Sequence, residues 1–366
     1  CWVLDIFGTA KCPIPNIGNR LCREKPLTHY VIRRFLFAIP LLVVISIIVF
    51  ALISLAPGGP MSAFEENPNL TPEDLARLEE QLGLNQPIHE RYLRWAGRIV
   101  QGDWGYSNAT RRPVLEEIGD RLPNTLQLML VAFVFTLVIA LPIGILSALK
   151  QYSLFDHIAT FFAFVGQAIP IFWFGLILII VFNVWLKNPV SPSTGFAWSN
   201  LLGCSDCTPL MPGGGMAPYG VDDPSFGQRV QHLILPVFML ALFGAGTYTR
   251  YMRGQMLEVI HLDYVRTARA KGLAESRVVI GHAVKNAITP IITIMALEMP
   301  GLFGGALFTE TIFSWPGMGR LFFRSAQRVD YPLLMGIVMI NAVLIIFFNL
   351  IADVMYAFLD PRVRYE

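Results

Sequence analysis

Charge is what this sequence has least of. Asp, Glu, Lys and Arg together make 15% of its 366 residues, while 54% are apolar. A soluble globular domain carries about a quarter charged residues, so a soluble fold is excluded first. A phosphate-cradling G-x-x-x-x-G-K-[ST] loop is also missing; Lys271 and Gly272 hold the two residues in reverse order. Without it the chain has no evident ATP site of its own. H-E-x-x-H is absent, because Arg91, Tyr92 and Leu93 follow His89 and Glu90. No G-x-S-x-G elbow occurs either, so no recognisable protease or lipase site remains. Cysteine is scarce, at five residues. Cys204 and Cys207 are close enough for a local disulfide in an oxidising compartment, or they are free thiols. No second pair or histidine cluster completes a zinc set, and no metal site is expected. The formal net charge of +2 says little by itself, and no nucleic-acid partner is expected. Nor does any internal repeat stand out.

Long apolar runs are what the chain has in abundance. Phe35 to Ala56, Thr125 to Leu149, His157 to Leu186, Leu233 to Thr249, Ala287 to Thr309 and Leu333 to Leu359 are the candidates. Several exceed the roughly 18 apolar residues that mark a spanning helix. The pattern predicts an all-α polytopic membrane protein. The third run is too long for one upright helix. Split at Pro170 it gives two very short spans; kept whole it gives one tilted or kinked span.

Charge parity favours the second option. Lys11, Arg20, Arg23, Lys25, Arg33 and Arg34 place the N-terminus in the cytoplasm. The segment to His29 lacks the pattern of a cleaved signal. With the third run whole there are six spans. The basic stretch from Arg250 to Lys285 and the tail with Arg362 and Arg364 then also fall inside. Arg320, Arg324 and Arg328, in a loop that must be external, run against this arrangement.

The expected organisation is a cytoplasmic tail (1–34) and a transmembrane domain (35–366). Within the second, 57–124 is an external helical loop, 187–231 an external irregular loop, and 254–286 a cytoplasmic loop. Thr71 and the acids after it form a helix-start signature, and Leu75, Leu78 and Leu82 give that external helix an apolar face. His89, Glu90 and Asp103 lie there too. No spacing makes them a catalytic set, so a solvated helical face is the ordinary reading against a membrane enzyme.

The most informative stretch is DYVRTARAKGLAESRVVIGHAVKNAITP, from Asp263 to Pro290. It is helix-friendly, basic, and too polar for lipid. On a helix Tyr264, Ala268 and Lys271 share one side, with Thr267 and Ala270 beside it. Arg266, Arg269 and Lys271 supply charge, and Gly272 ends the helix. Two readings follow from the residues alone: a docking element for a partner protein, or an interfacial helix on anionic headgroups.

A resemblance separates them. Asp263 to Leu273, followed by His282, Ala283, Asn286, Ala287 and Pro290, is similar to the EAA loop of ABC-importer permeases in its peptide-permease form. Leu55 to Gly58 resembles that family's Pro-Gly turn after the first helix. Gly102 to Ser107 resembles its G-D-x-G-x-S motif, and Arg121 to Thr125 its R-L-P-x-T. Phe313 to Gly319 resembles F-x-W-P-G-x-G, Asp330 to Pro332 resembles D-Y-P, and Leu359 to Tyr365 resembles L-D-P-R-x-R-Y. Arg266, Thr267 and Ala268 stand where the generic motif has Glu-Ala-Ala. Together, in order and over most of the chain, these motifs resemble the B-type permease of dipeptide, oligopeptide, glutathione and nickel importers.

The resemblance implies the type I permease fold in a bacterial or archaeal plasma membrane. It implies a homologous second permease, two ABC ATPase subunits that hold ATP and magnesium, and an extracytoplasmic substrate-binding protein. This chain would bind no cofactor. Asp263, Tyr264, Arg266, Thr267, Ala268, Arg269, Ala270, Lys271 and Gly272 would couple to the ATPase. Peptide is the expected cargo; nickel, glutathione or a sugar is the alternative. A stand-alone channel or secondary transporter would lack the docking loop and could show inverted repeats.

Intramembrane polar residues are the candidates for the cargo path. Glu298 falls mid-span, where an acid is expensive and faces an interior or a cavity. It either lines the path and attracts a cationic end of the cargo, or makes a structural hydrogen bond. Gln167 and Asn341, like Asn349, are milder candidates for which polar glue between helices is the competing account. Asp353 is expected near the cytoplasmic end.

Overall fold

The structure is a computed structural model, and it describes residues 27–55, 71–81, 83, 85–191, 195–202, 207–221, 223–298, 301–302 and 306–359. The described residues form thirteen α-helices. The apolar runs appear as α1 (Leu27–Ser54), α4 (Val114–Leu149), α5 (Leu154–Ala168), α6 (Ile171–Ile179), α7 (Phe226–Val259), α10 (Lys285–Glu298) and α13 (Tyr331–Leu359). Between them lie α2 (Pro72–Gln81), α3 (Ile88–Val100), α8 (Asp263–Ala270), α9 (Glu275–Val278), α11 (Leu307–Ile312) and α12 (Met318–Gln327). One small hairpin pairs Val190–Ser191 with Gly195–Phe196. Thr71 caps α2 through Asp74, its hydroxyl donating to the carboxylate at 2.7 Å. Of the expected apolar face on α2, only Leu75 is described, and it is half-buried.

Five helices are long and apolar enough to cross a membrane, and a sixth crossing is broken. The break falls in the third run. Its two halves, Leu154–Ala168 and Ile171–Trp185, are bent by 102°. Pro170 explains the position of the bend. The residue before a proline is pushed out of the α region, and Ile169 is extended, with ψ 129. One tilted or kinked span is the expectation; the two halves are sharply bent, and taken together as one broken span they bring the count to six.

The centre of the bundle is the pair α4 and α7. Small residues at every fourth position of α4 (Ala132, Thr136, Ala140, Gly144, Ala148) make a stripe that is buried along its length. Such stripes let spanning helices approach until dispersion between backbones holds them. Gly144 shows how close: a Cβ there would sit 2.7 Å from the carbonyl oxygen of Thr249. Proline inside α1, α4, α7 and α10 (Pro40, Pro123, Pro142, Pro236 and Pro290) does not end these helices. Neighbouring helices can re-satisfy the freed groups.

Candidate functional site

The loop between α7 and α10 is built as a seat and a face. Helix α8 has eight residues and stops where Gly272 takes φ +75, a conformation that favours glycine. The Gly272 N–H donates to the Arg269 carbonyl at 2.9 Å. Val265 (0% exposed) and Ala268 (5%) enter one core cluster with Met252, Met256 and Val259 of α7, Val278, and Ala283. That is the seat. Asp263, Tyr264, Arg266, Thr267, Arg269, Ala270 and Lys271 are all exposed. That is the face.

The helical-wheel expectation needs one correction here. Ala268 does not share an outward side with Tyr264 and Lys271; it points into its own bundle. Val265 lies one turn earlier on the same side, and burying both offsets the cost of holding a polar segment against the spans. The close approach that a small residue permits is used inward.

Two ion pairs brace the loop and its approach, besides an exposed Arg266–Asp263 pair at 3.7 Å within α8. Arg269 donates to Glu275 at 2.8 and 3.2 Å, tying the end of α8 to the start of α9. The pair holds the Arg269 guanidinium above its ordinary range. It is exposed, so its stability contribution is small. The second pair joins residues 97 apart and leaves no local pattern in the sequence. Arg253 of α7 clamps Asp156 at the start of α5 bidentately, Nε to Oδ1 at 2.7 Å and a terminal nitrogen to Oδ2 at 2.9 Å. Ser147 of α4 also donates to Asp156, and so does the Tyr152 N–H, at 3.0 Å. Asp156 is only 2% exposed. Four donors on one buried carboxylate join the ends of α4, α5 and α7 beside the point where α7 hands over to α8. The readable signal was Ser153, three residues ahead of Asp156 and capping its helix.

The intramembrane candidates do not converge on one site. Gln167 donates to Thr247 at 2.7 Å and accepts from Arg250 at 2.6 Å, so it links α5 to α7. Arg250 also lies over the Phe164 ring, 5.0 Å from its centroid. Glu298 accepts from the hydroxyl of Tyr248, linking α10 to α7, yet remains exposed on the surface of the chain. Thr247 and Tyr248 are consecutive, so α7 is the common partner of both. Asn341 on α13 has a buried Oδ1 with no hydrogen-bond partner among the described residues. Cys207 is buried and disulfide-bonded; Cys204 lies outside the described residues, as do Cys1, Cys12 and Cys22. The Pro57–Gly58 turn and the terminal motif from Asp360 onward lie outside them too.

At the other end of the bundle the remaining motifs meet. Asp330 accepts from the Ser107 hydroxyl and from the N–H groups of Asn108 and Ala109 at 3.1 and 3.2 Å. So the segment containing Gly102 to Ser107 is fastened to Asp330–Tyr331–Pro332. Glu310, 0% exposed, accepts from Thr125 at 2.8 Å and from the Arg320 N–H at 3.0 Å. Thr125 in turn accepts from the Met318 N–H at 2.7 Å. The Trp315 indole donates to the Asn124 carbonyl at 2.9 Å, and the Asn124 amide returns a bond to Pro316 at 2.9 Å. Thus Arg121 to Thr125 and Phe313 to Gly319 interlock. Burial pushes the Glu310 carboxyl up, while its hydroxyl and N–H donors pull the other way.

Residues 140–365 match the family described as binding-protein-dependent transport system inner membrane component. Residues 27–129 match the N-terminal region of such membrane components. The chain is similar to the oligopeptide transport system permease protein AppB of Bacillus subtilis (strain 168), 44% identical over 340 residues, covering 93% of this chain and 100% of the relative. It is also similar to the dipeptide transport system permease protein DppB of Escherichia coli (strain K12), 38% identical over 345 residues with the same coverage. The di/tripeptide transport system permease protein DppB of Pseudomonas aeruginosa (strain UCBPP-PA14) is 38% identical over 351 residues.

Proposed function

The chain belongs to the inner membrane components of binding-protein-dependent transport systems, and from that premise we propose that it is a permease subunit of an ATP-driven peptide importer whose 263–272 loop is the cytoplasmic docking point for an ATPase. Relatives named for dipeptides and oligopeptides support the cargo. A homologous second permease completes the pathway, two ATPase subunits drive it, and a binding protein delivers peptide at the outer face.

The observation that carries the reading is the division of α8 into a buried seat and a polar exposed face. A lever must move with its own helices and also fit a partner, because only contacts that differ between two states can shift their balance. Val265 and Ala268 tie α8 to α7 and α9. Tyr264, Arg266, Thr267, Ala270 and Lys271 remain for the partner. The Asp156–Arg253 clamp passes displacement of the loop to α4 and α5, since the three helix ends share one carboxylate. Within the membrane, Glu298 and Gln167 are proposed to border the cargo path while bonded to α7. Asn341, whose buried oxygen has no partner among the described residues, is a third candidate.

Arg266→Glu combined with Lys271→Glu tests the docking role. Both side chains are exposed, so insertion and folding are expected to be unchanged. Association with the ATPase is expected to weaken about 10- to 100-fold, as charge reversal at an interface does. Co-purification of the ATPase subunits and uptake of a labelled dipeptide are the readouts; wild-type values for both would refute the assignment.

A further inference from the structure

Helix α3 is amphipathic and none of its residues is buried. Among the described residues its ring and hydroxyl contacts to other elements are with α1. The Tyr92 hydroxyl lies 2.8 Å from that of Ser46. The Phe50 ring stands 5.6 Å from Tyr92 and 5.5 Å from Trp95, and the Arg91 guanidinium lies 6.0 Å from the Phe50 centroid.

The depth of that contact is informative. The apolar span of α1 runs from Ile32 to Ser54. At 1.5 Å per residue, Phe50 and Ser46 sit about 6 and 12 Å before its end. Around them α1 is left uncovered by the described residues of the chain, with Ile47 47% and Ile48 51% exposed. So α3 is anchored at the level where acyl chains give way to headgroups. Interfacial helices bury their apolar face about 5–10 Å into that boundary.

The faces of α3 fit the same place. Advancing 100° per residue, Trp95, Ile88, Ile99 and Tyr92 lie toward α1. Ala96, Val100 and Leu93 continue this apolar arc past the contact, and Leu93 (67%) and Val100 (88%) are bare. His89 is the one polar residue within that arc. Arg94, Arg98 and Arg91 occupy the opposite flank beside Glu90. Among the described residues none of the three arginines forms an ion pair, and Arg94 bonds only to Gln86. Tyr and Trp at the waterline, arginine above and aliphatic groups below is the order that a membrane surface selects.

We infer that α3 is a membrane-surface helix that sinks Leu93 and Val100 into the lipid leaflet at the end of α1 and sets Arg91, Arg94 and Arg98 against phospholipid phosphates. It anchors the external segment to the bilayer beside the first span. Which leaflet this is follows from the topology in the permease reading; the lipid contact does not depend on it.

The test uses the assembled complex in nanodiscs of phosphatidylethanolamine and phosphatidylglycerol. Single labelling sites come from Leu93→Cys, Val100→Cys or Arg94→Cys, in a chain carrying Cys1→Ser, Cys12→Ser and Cys22→Ser with the disulfide left intact. Each site carries a bimane. A nitroxide high on the lipid acyl chain is expected to quench the 93 and 100 labels several-fold more than the 94 label, with aqueous iodide giving the reverse order. Iodide reaching all three equally would overturn the inference. Shielding of 93 and 100 from both quenchers would also overturn it, because protein would then cover the face. In discs of phosphatidylcholine with and without phosphatidylglycerol, the anionic lipid is expected to deepen the 93 label. Arg91→Gln, Arg94→Gln and Arg98→Gln together should abolish that difference; its persistence would refute the phosphate contact. None of these readouts is transport or ATP hydrolysis, so failure here leaves the permease assignment standing.

Discussion

The two ends of the bundle use their motif residues in opposite ways. Around Glu310 and Asp330 the polar motif atoms are buried and satisfied by one another. Around α8 they are exposed, and the small apolar residues hold the helix down. Both sets are equally conspicuous in the sequence. A closed network holds the chain together, whereas an open one is left for a partner. Which of the two a motif serves depends on where its hydrogen bonds go, and that is the quantity mutations can separate.

The largest effect is expected at the closed end. Glu310→Ala strands the Thr125 hydroxyl and the N-terminal N–H groups of α12 in a buried site. Each buried donor left without its acceptor costs about 1–3 kcal/mol, and at least two are stranded, so thermal unfolding of the purified chain in detergent should begin at a markedly lower temperature. Glu310→Gln keeps the shape and should cost much less. Its acid form also gives the comparison a pH arm. A carboxyl held above its ordinary value of about 4.3 binds more protons folded than unfolded. Stability therefore falls as pH rises from that value through the raised one, and Glu310→Gln should flatten the slope. Equal slopes for both chains would mean the carboxyl is not held up.

The next effect sharpens the contrast within α8 itself. Ala268 is buried and Ala270 is exposed, two residues apart. Ala268→Trp overfills the seat, at a cost of roughly 1–3 kcal/mol, and should lower the unfolding temperature and lose the ATPase together. Ala270→Trp should leave unfolding unchanged and lose only the ATPase. If both behave alike, the division into seat and face is wrong.

Much of this was legible beforehand. Apolar runs and motif order indicate the candidate spans and the family, and they single out the loop that we propose as the docking point. What stayed hidden was pairing at a distance. Asp156 and Arg253 are 97 residues apart, and Ser107 and Asp330 are 223 apart. Neither pair leaves a periodic trace in one sequence. The burial of Ala268 is not readable from a wheel, which orders residues around an axis without saying which direction is inward. Pro170 marked the break in the third span, but a proline alone does not set an angle of 102°.

A middle-sized effect is expected where the open end meets the bundle. Asp156→Asn keeps the volume and removes the charge that Arg253 clamps. Arg253 is partly exposed, so screening discounts the loss to about 1–3 kcal/mol. The informative readout is the ratio of peptide taken up to ATP hydrolysed. A slack joint lets α8 move without α4 and α5, and the ratio should fall several-fold while the ATPase stays bound. An unchanged ratio would leave the clamp with a role in stability alone.

The smallest effect is expected at Glu298, and its size separates the two accounts of that residue. Glu298→Gln retains an acceptor for Tyr248, so the link between α10 and α7 survives and unfolding should shift by less than about 1 kcal/mol. Only the negative charge is gone. If the exposed carboxylate borders the path, uptake of a peptide with a cationic end should weaken about 2- to 10-fold, the worth of one partly screened charge pair. Uptake of a cargo blocked at its amino end should not change. Equal uptake of both peptides by the two chains would make Glu298 a link between α10 and α7 alone, a bond of the kind Gln167 also makes across α5 and α7.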